Sequence, residues 1–358
     1  MNIKEAYQQR MNAQWGHLVD YWYPLIEVKT LDKKSITKVQ AFNVNYLVWK
    51  NEQGKVSVFL DTCIHKQSPL SVGHLAKETL TCPYHGWQFD HQGICINIPY
   101  SNDPSDCSNK QLLTIPSKVE GQLVWFFPNG NTPNAEINKS TQPHWQYLPK
   151  DLIKTEVFEC NEQALIENFM DSPHTNFIHS GLIRKQQKLK VRDIAIYLDK
   201  QQTLYVDHLP SKESLGPFNW FINPQNNPIH HQDIFVTPAH VDIQYQFEKN
   251  KTNFRTQISI CPIDPHTTRA FFKVSSQFKR FNPIIRFGLK CFLPIILKQD
   301  KKIVALQANN LSKLTHFNGQ FIPYDIYSYQ VKLLREQAKN KQAAHGLLTS
   351  IHQTSLKL

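Results

Sequence analysis

The spacing of apolar positions changes character several times along the chain. Over residues 1 to 20, Ala6, Met11, Trp15 and Leu18 recur at roughly helical intervals and predict a leading helix with a packing role. From Trp22 the pattern shortens to β-type runs, Val39 to Phe42, Tyr46 to Trp49 and Val56 to Leu60, separated by polar turns such as Asn51-Glu52-Gln53-Gly54. Leu112 to Ile115 and Leu123 to Phe127 form a further β pair closed by Pro128-Asn129-Gly130, and the polar stretch Asn131 to Pro143, with two prolines, reads as a connection. Beyond it the pattern predicts a strand at Thr155 to Cys160 and a helix at Asn161 to Met170 that turns Ala164, Leu165, Phe169 and Met170 inward. Alternating runs at Ile194 to Leu198, Leu204 to Val206, His240 to Phe247, Arg255 to Ile260 and Ala270 to Val274 predict an antiparallel sheet, followed by basic helices around Ile303 to Leu314 and Ile326 to Leu348. The expected fold is α+β: an all-β N-terminal domain with its leading helix over 1–150, then an α+β domain over 151–358 with an antiparallel sheet covered by helices.

Composition narrows the class. A chain of 358 residues, 41% apolar and 19% charged, can bury two ordered cores, so disorder is excluded. Seven cysteines at 63, 82, 95, 107, 160, 261 and 291 are odd in number and scattered, which argues against a secreted disulfide framework and for a reducing compartment. No signal or transit peptide is legible at the N-terminus, so a cytoplasmic location is expected. The most hydrophobic stretch, Phe281 to Leu297, is interrupted by Arg286, Lys290 and two prolines, so at most peripheral membrane contact is expected. Net charge is +11, and residues from Phe281 onward hold eleven Lys or Arg against Asp300, Asp325 and Glu336. Such a tail suits an acidic redox partner or is a solvated helix face; no nucleic-acid motif accompanies it.

Two stretches carry candidate chemistry. Cys63-Ile64-His65-Lys66 and Cys82-Pro83-Tyr84-His85-Gly86-Trp87 each pair a thiolate with an imidazole, and the sixteen residues between His65 and Cys82 let a loop leave and return. Two thiolates and two imidazoles suit tetrahedral zinc or a [2Fe–2S] cluster, and the mixed Cys-His order in both halves favours iron. Downstream, Asp171, His174 and His179 form a D-x2-H-x4-H run. His174 and His179 share no face of an unbroken helix, so joint ligation needs a bend, for which Pro173 supplies a reason. Two imidazoles and a carboxylate make the triad that leaves open positions on ferrous iron, although a lone His pair at this spacing is more often ordinary loop chemistry.

Together these runs resemble the Rieske non-haem iron oxygenases, specifically the terminal oxygenase component, over nearly the whole chain. The resemblance implies a [2Fe–2S] Rieske cluster on Cys63, His65, Cys82 and His85 and a mononuclear Fe(II) on His174, His179 and a distant Asp near the start of a helix. Gln299-Asp300-Lys301-Lys302-Ile303-Val304-Ala305-Leu306-Gln307 matches that context and nominates Asp300, with Asp325 as the fallback; Asp300 read alone could equally be a helix N-terminal acid. Asp171 would link His174 to His85 of the partner subunit in a homotrimer, or else merely orient its neighbours. Lys66 stands where the family usually has Arg. The implied function is oxidation of an aromatic or lipophilic substrate with O2, using electrons from a ferredoxin or NAD(P)H-dependent reductase. A Rieske electron carrier or redox sensor without oxygenase activity is the alternative. Pocket candidates are Phe218 to Ile222, Ile234 to Val236 and Tyr245 to Phe247, runs that serve equally as sheet core.

Overall fold

In the computed structural model, residues 2–31, 36–133, 151–182, 190–212, 223, 225, 227–248, 251–277, 282–314, 319–342 and 345–357 are described. The chain divides into two units, Met1–Gln146 and Tyr147–Leu358. Phe218 to Ile222 lie outside the described residues, as does most of the expected connection.

The first unit is led by helix α1 (Ile3–Trp15), whose N-cap Asn2 and Glu5 form a reciprocal capping box. Tyr7, Met11 and Trp15 are its buried side, and the Tyr7 hydroxyl reaches Tyr46 at 2.9 Å and the Pro128 carbonyl at 2.5 Å. Strands β1 (Tyr23–Glu27), β2 (Ile36–Ala41), β3 (Val44–Lys50), β4 (Val56–Leu60), β5 (His74–Ala76), β6 (Thr79–Thr81), β7 (Gln88–Phe89), β8 (Cys95–Asn97), β9 (Thr114–Ile115), β10 (Ser117–Glu120) and β11 (Leu123–Phe126) follow. They pair as β1-β11-β10, β2-β3-β4-β9 and β5-β6-β7-β8. Leu47, Trp49, Phe59, Leu70, Leu80 and Phe89 form one buried cluster with Cys63 and Cys82. At about 1.5–3 kcal/mol for each large side chain removed from water, that cluster supports the loops between β4 and β7.

The second unit is an antiparallel sheet made from β12 (Leu152–Phe158), β13 (Val191–Leu198), β14 (Leu204–Ser211), β15 (Ile229–Val236), β16 (His240–Glu248), β17 (Lys251–Asp264), β18 (Thr267–Ser276) and β19 (His352–Lys357). Its order is β12-β18-β17-β16-β15-β14-β13-β19, so strands from the two ends of the unit lie at the edges. Helix α2 (Glu162–Met170) begins at Asn161, whose side chain accepts from Ala164 N–H, and buries Leu165, Ile166, Phe169 and Met170. Helix α4 (Ile326–Asn340) is tied to α2 by Arg335, which donates to Glu162 at 2.7 Å and to the Pro238 carbonyl at 2.5 Å.

The intervening helix corrects the sequence reading. Helix α3 runs from Asn282 to Lys313, 32 residues, rather than starting near Ile303. Pro283 sits in its first turn, where a missing N–H costs nothing. Pro294 lies inside it, exposed, while Ile285, Gly288, Leu297, Asp300 and Val304 keep a buried stripe facing the sheet. Asp300 is therefore mid-helix, and the helix N-terminal reading of it falls away. Helix α4 ends at Asn340, earlier than Leu348, because Lys341 turns left-handed (φ 52°) and the chain leaves to form β19.

At Gly73, which closes the turn Leu70–Val72, an added Cβ would lie 2.4 Å from the Thr81 carbonyl oxygen and 2.9 Å from that of Leu70. Both are backbone atoms that cannot swing aside. Gly73→Ala is expected to lower the urea midpoint by an amount equivalent to about 2–3 kcal/mol. Gly54→Ala, in open space at φ +82°, is expected to cost only about 1 kcal/mol; equal losses would refute the close approach.

Candidate metal centres

The two Cys-His loops of the first unit share one backbone frame. Cys63 N–H donates to Ser68 O at 2.8 Å and Gln67 N–H to Cys63 O at 2.9 Å; Cys82 N–H donates to Trp87 O at 2.8 Å and Gly86 N–H to Cys82 O at 3.1 Å. The residue closing each turn is left-handed, Gln67 at φ 58° and Gly86 at φ 72°. A Cβ on Gly86 would meet Pro99 Cγ at 3.1 Å. Buried Asp61 anchors the first loop by accepting from Ser71 N–H (2.7 Å) and Oγ–H (2.6 Å). The imidazoles of His65 and His85 approach with centroids 4.7 Å apart and planes at 61°. Their Nδ1 atoms are buried with no hydrogen-bond partner among the described residues.

Orphaned, buried nitrogens beside two buried thiols are what a four-donor metal site requires. Burial pushes the Cys63 thiol up, as does neighbouring Cys82, against the backbone N–H groups of His65 and Lys66, which favour the thiolate. Amide donors at sulfur stabilise a bound cluster. The Lys66 contribution comes from its backbone, which the change from Arg leaves intact. Trp87 stacks on His65 (4.8 Å, 10°) and donates to Tyr100 Oη at 2.8 Å, while Tyr84 covers His85 at 3.8 Å.

In the second unit α2 ends at Met170, Asp171 leaves helical geometry, and Ser172–Asn176 continue as a 3-10 turn with Pro173 at its start. That is the bend the D-x2-H-x4-H spacing needs. His174 Nδ1 is hydrogen-bonded to the Asp171 backbone carbonyl, and His179 Nδ1 to Gln299 Oε1 at 2.9 Å. With each Nδ1–H donating, the Nε2 lone pairs are the free ones. They lie 3.5 Å (His174) and 3.1 Å (His179) from Asp300 Oδ1, and Asn168 Nδ2 is 3.4 Å from the same oxygen. The ring planes cross at 76°, so one ion can lie in both. Burial opposes ionisation of Asp300, but the two imidazoles, which in their protonated form donate from Nε2 and add positive charge, hold its carboxyl below the ordinary range. Asp325, the fallback, instead accepts from Ile322 N–H at 2.8 Å beside α4.

A cavity of about 240 Å³ opens beside this triad. Period-two alternation supplies its sheet wall: His231 and Asp233 from β15, Ile243 and Tyr245 from β16, Phe254, Thr256 and Ile258 from β17, Phe272 and Val274 from β18. The buried stripe of α3 supplies the opposite wall with Ile285, Gly288, Phe292, Leu297 and Asp300. Of the pocket runs expected from sequence, Tyr245 lines the cavity, whereas Ile234 to Val236 and Phe247 do not.

His208, His231 and Asp233 form a second gathered group of metal-ligand type. His208 and His231 are stacked, 4.5 Å apart with planes at 6°. Their Nε2 atoms face Asp233 at 3.2 and 2.8 Å. An ion must lie close to the plane of each imidazole that binds it, and near-parallel, offset planes do not meet. This group is a hydrogen-bonded clamp.

Comparison with known proteins matches each unit to a separate domain. Residues 21–116 match the Rieske [2Fe-2S] domain, and residues 158–320 match the vanillate O-demethylase oxygenase C-terminal domain. The chain belongs to the Rieske non-haem iron oxygenase family. The chain is similar to methylxanthine N1-demethylase NdmA of Pseudomonas putida, 23% identical over 84% of each chain. It is also similar to flavonoid 8-hydroxylase 2 of Ocimum basilicum, 31% identical over 46% of this chain and 34% of that one. The chain spans between a quarter and about a third of the first curated relatives it matches. In fold it resembles dicamba monooxygenase bound to 3,6 dichlorosalicylic acid, with TM-score 0.75 and 20% identity over 90% of this chain and 97% of that one.

Sequence reasoning missed Gln299, Asn168 and the His208–His231–Asp233 clamp. Gln299 was legible only as the residue before Asp300; nothing in spacing marks β14 and β15 as neighbours that align two histidines.

Burial raises the Asp171 carboxyl to about 6, opposed by His174 and reinforced by the charges of Asp325 and Asp233. A folded pKa above the unfolded value of 3.8 penalises the folded state above about pH 6 and leaves it unpenalised below about pH 4. Two pH units correspond to about 3 kcal/mol, an upper bound for the gain on Asp171→Asn. Urea midpoints of metal-free protein are expected to rise in Asp171→Asn at about pH 7.5 and to match wild type at about pH 4.

Proposed function

We propose that the chain is the terminal oxygenase of a multicomponent Rieske system that oxidises an apolar, ring-sized organic substrate. The observation that carries this reading is the convergence of His174 Nε2, His179 Nε2 and the Asp300 carboxylate on the wall of a largely apolar cavity. Cys63, His65, Cys82 and His85 would hold the [2Fe–2S] cluster and His174, His179 and Asp300 the ferrous ion, which when bound supply single electrons and a site of dioxygen reduction. Hydroxylation consumes one O2, two electrons and two protons and releases one water. No side chain need act as nucleophile.

The remaining residues hold this arrangement in place. Gln299 and the Asp171 carbonyl fix the imidazole tautomers, which costs nothing at the moment of reaction. Phe169, Phe272, Phe292 and Leu297 exclude water from the cavity and give an aromatic or lipophilic substrate its binding surface. The Asp171 carboxyl would join His174 to His85 of the partner subunit in a homotrimer. Electrons would come from a ferredoxin or NAD(P)H-dependent reductase, with the basic residues beyond Phe281 favouring an acidic donor. Among the described residues no helix is long and apolar enough to cross a membrane. Exposed Ile284, Phe287 and Ile295 on α3 support peripheral lipid contact at most. A cluster-only electron carrier is the lesser reading, because it leaves the buried triad and its cavity without a role.

Single-turnover oxidation by chemically reduced holoenzyme, screened with candidate substrates and read by product mass, tests the proposal. Gain of one oxygen, loss of a methyl group or loss of two hydrogens separates hydroxylation, demethylation and desaturation; no substrate-dependent O2 consumption across aromatic and sterol-like panels would contradict it. Asp300→Ala is expected to keep the cluster absorption while metal analysis falls from three irons per chain to two. Asp171→Asn is expected to keep all three and lower coupled turnover at least about 100-fold, about 3 kcal/mol in the barrier.

A further inference from the structure

The clamp on β14 and β15 has no part in holding metal, yet it stands in the wall of the cavity. His231 is sandwiched between His208 (4.5 Å, 6°) and Tyr245 (4.4 Å, 9°), so its ring cannot tip. The register explains the column: His208 pairs with His231 across β14 and β15, and His231 with Tyr245 across β15 and β16. Asp233, two residues along the same face, is 2% exposed and receives one imidazole on each carboxylate oxygen. The charges and hydrogen bonds of His231 and His208 overcome burial and hold its carboxyl well below the usual carboxylate range. It is an anion fixed in position on an otherwise mainly apolar surface.

We propose that Asp233, positioned by His231 and His208, determines specificity: the cavity takes an apolar ring system with one hydroxyl or N–H donor, which seats on Asp233 at the sheet wall. An ionised carboxylate has about four acceptor sites, and the two imidazoles occupy two of them. A substrate donor fills another without displacing either histidine. The surroundings, Ile243, Tyr245, Phe254 and Ile258, offer the ring dispersion contact and shield the new bond from water. Asp233 lines the same cavity as the proposed iron triad His174, His179 and Asp300. A donor anchored there leaves the rest of the ring to extend toward the triad. Analogues lacking the donor leave a buried anion less well satisfied, and a site of this kind discriminates against them more sharply than a wholly apolar pocket can.

The inference rests on the cavity being the substrate pocket, and the test separates the two ideas. Holoenzyme is titrated with 2-naphthol, 2-methoxynaphthalene and 2-naphthoate, each read by its own fluorescence, in wild type and in Asp233→Asn. In wild type, 2-naphthol is expected to bind roughly ten- to a hundredfold tighter than its methyl ether, the worth of one hydrogen bond to a charged group. 2-Naphthoate, an anion without a donor, is expected to bind weakest. In Asp233→Asn the naphthol preference is expected to collapse to about twofold or less. Equal binding of naphthol and ether to wild type, or preference for naphthoate, overturns the role of Asp233 while leaving the pocket standing. Failure of all three to bind overturns both. The wild-type comparison decides the matter even if Asp233→Asn fails to fold.

Discussion

A buried imidazole has two nitrogens, and which of them is already engaged decides what the ring can do. Three histidine pairs in this chain illustrate the constraint. His65 and His85 keep Nδ1 buried and unpartnered among the described residues. His174 and His179 engage Nδ1 with the Asp171 carbonyl and Gln299, which directs Nε2 at Asp300. His208 and His231 engage Nε2 with Asp233 and stack face to face. The first two pairs present crossing planes, at 61° and 76°, and suit metal; the third presents planes at 6° and does not. Residue types alone, two His and one Asp in both groups of the second unit, do not distinguish them.

The scaffold exists to hold those orientations. In the first unit, two turns with the same hydrogen-bond frame set Cys63 and Cys82 in one buried cluster, and Gly73 lets their loops approach. In the second, the bend after Met170 turns His174 and His179 to a common side, while an unbroken α3 carries Asp300 on the same buried stripe as the cavity residues. The triad thus depends on the phase of a helix as much as on its own hydrogen bonds. A one-residue slip would rotate Asp300 by about 100° away from the histidines.

Much of this was legible in the chain. The Cys-His loops were readable because ligands for one centre lie close in sequence with tight-turn residues beside them, and the alternation in β16 to β18 was readable because one face is apolar. Asp300 came only through family resemblance, since 120 residues separate it from His179 and no local pattern links them. Its helix was placed too late because the proline-interrupted stretch Phe281 to Leu297 was weighed only for membrane contact, whereas Pro283 sits in the first turn and Pro294 is exposed, so the helix runs through both. β19 was missed because its alternation is weakly apolar, and the clamp because cross-strand register cannot be read from spacing.

The central claim is that two distinct iron centres are built from the histidines whose nitrogens and planes allow it. Mössbauer spectroscopy of reduced protein enriched in iron-57, prepared without oxygen, tests this most directly. The account predicts a histidine-ligated and a thiolate-ligated iron of one [2Fe–2S] pair together with a high-spin ferrous ion, in equal amounts. A cluster with two thiolate-type irons, or the absence of the separate ferrous signal from fully loaded protein, would contradict it.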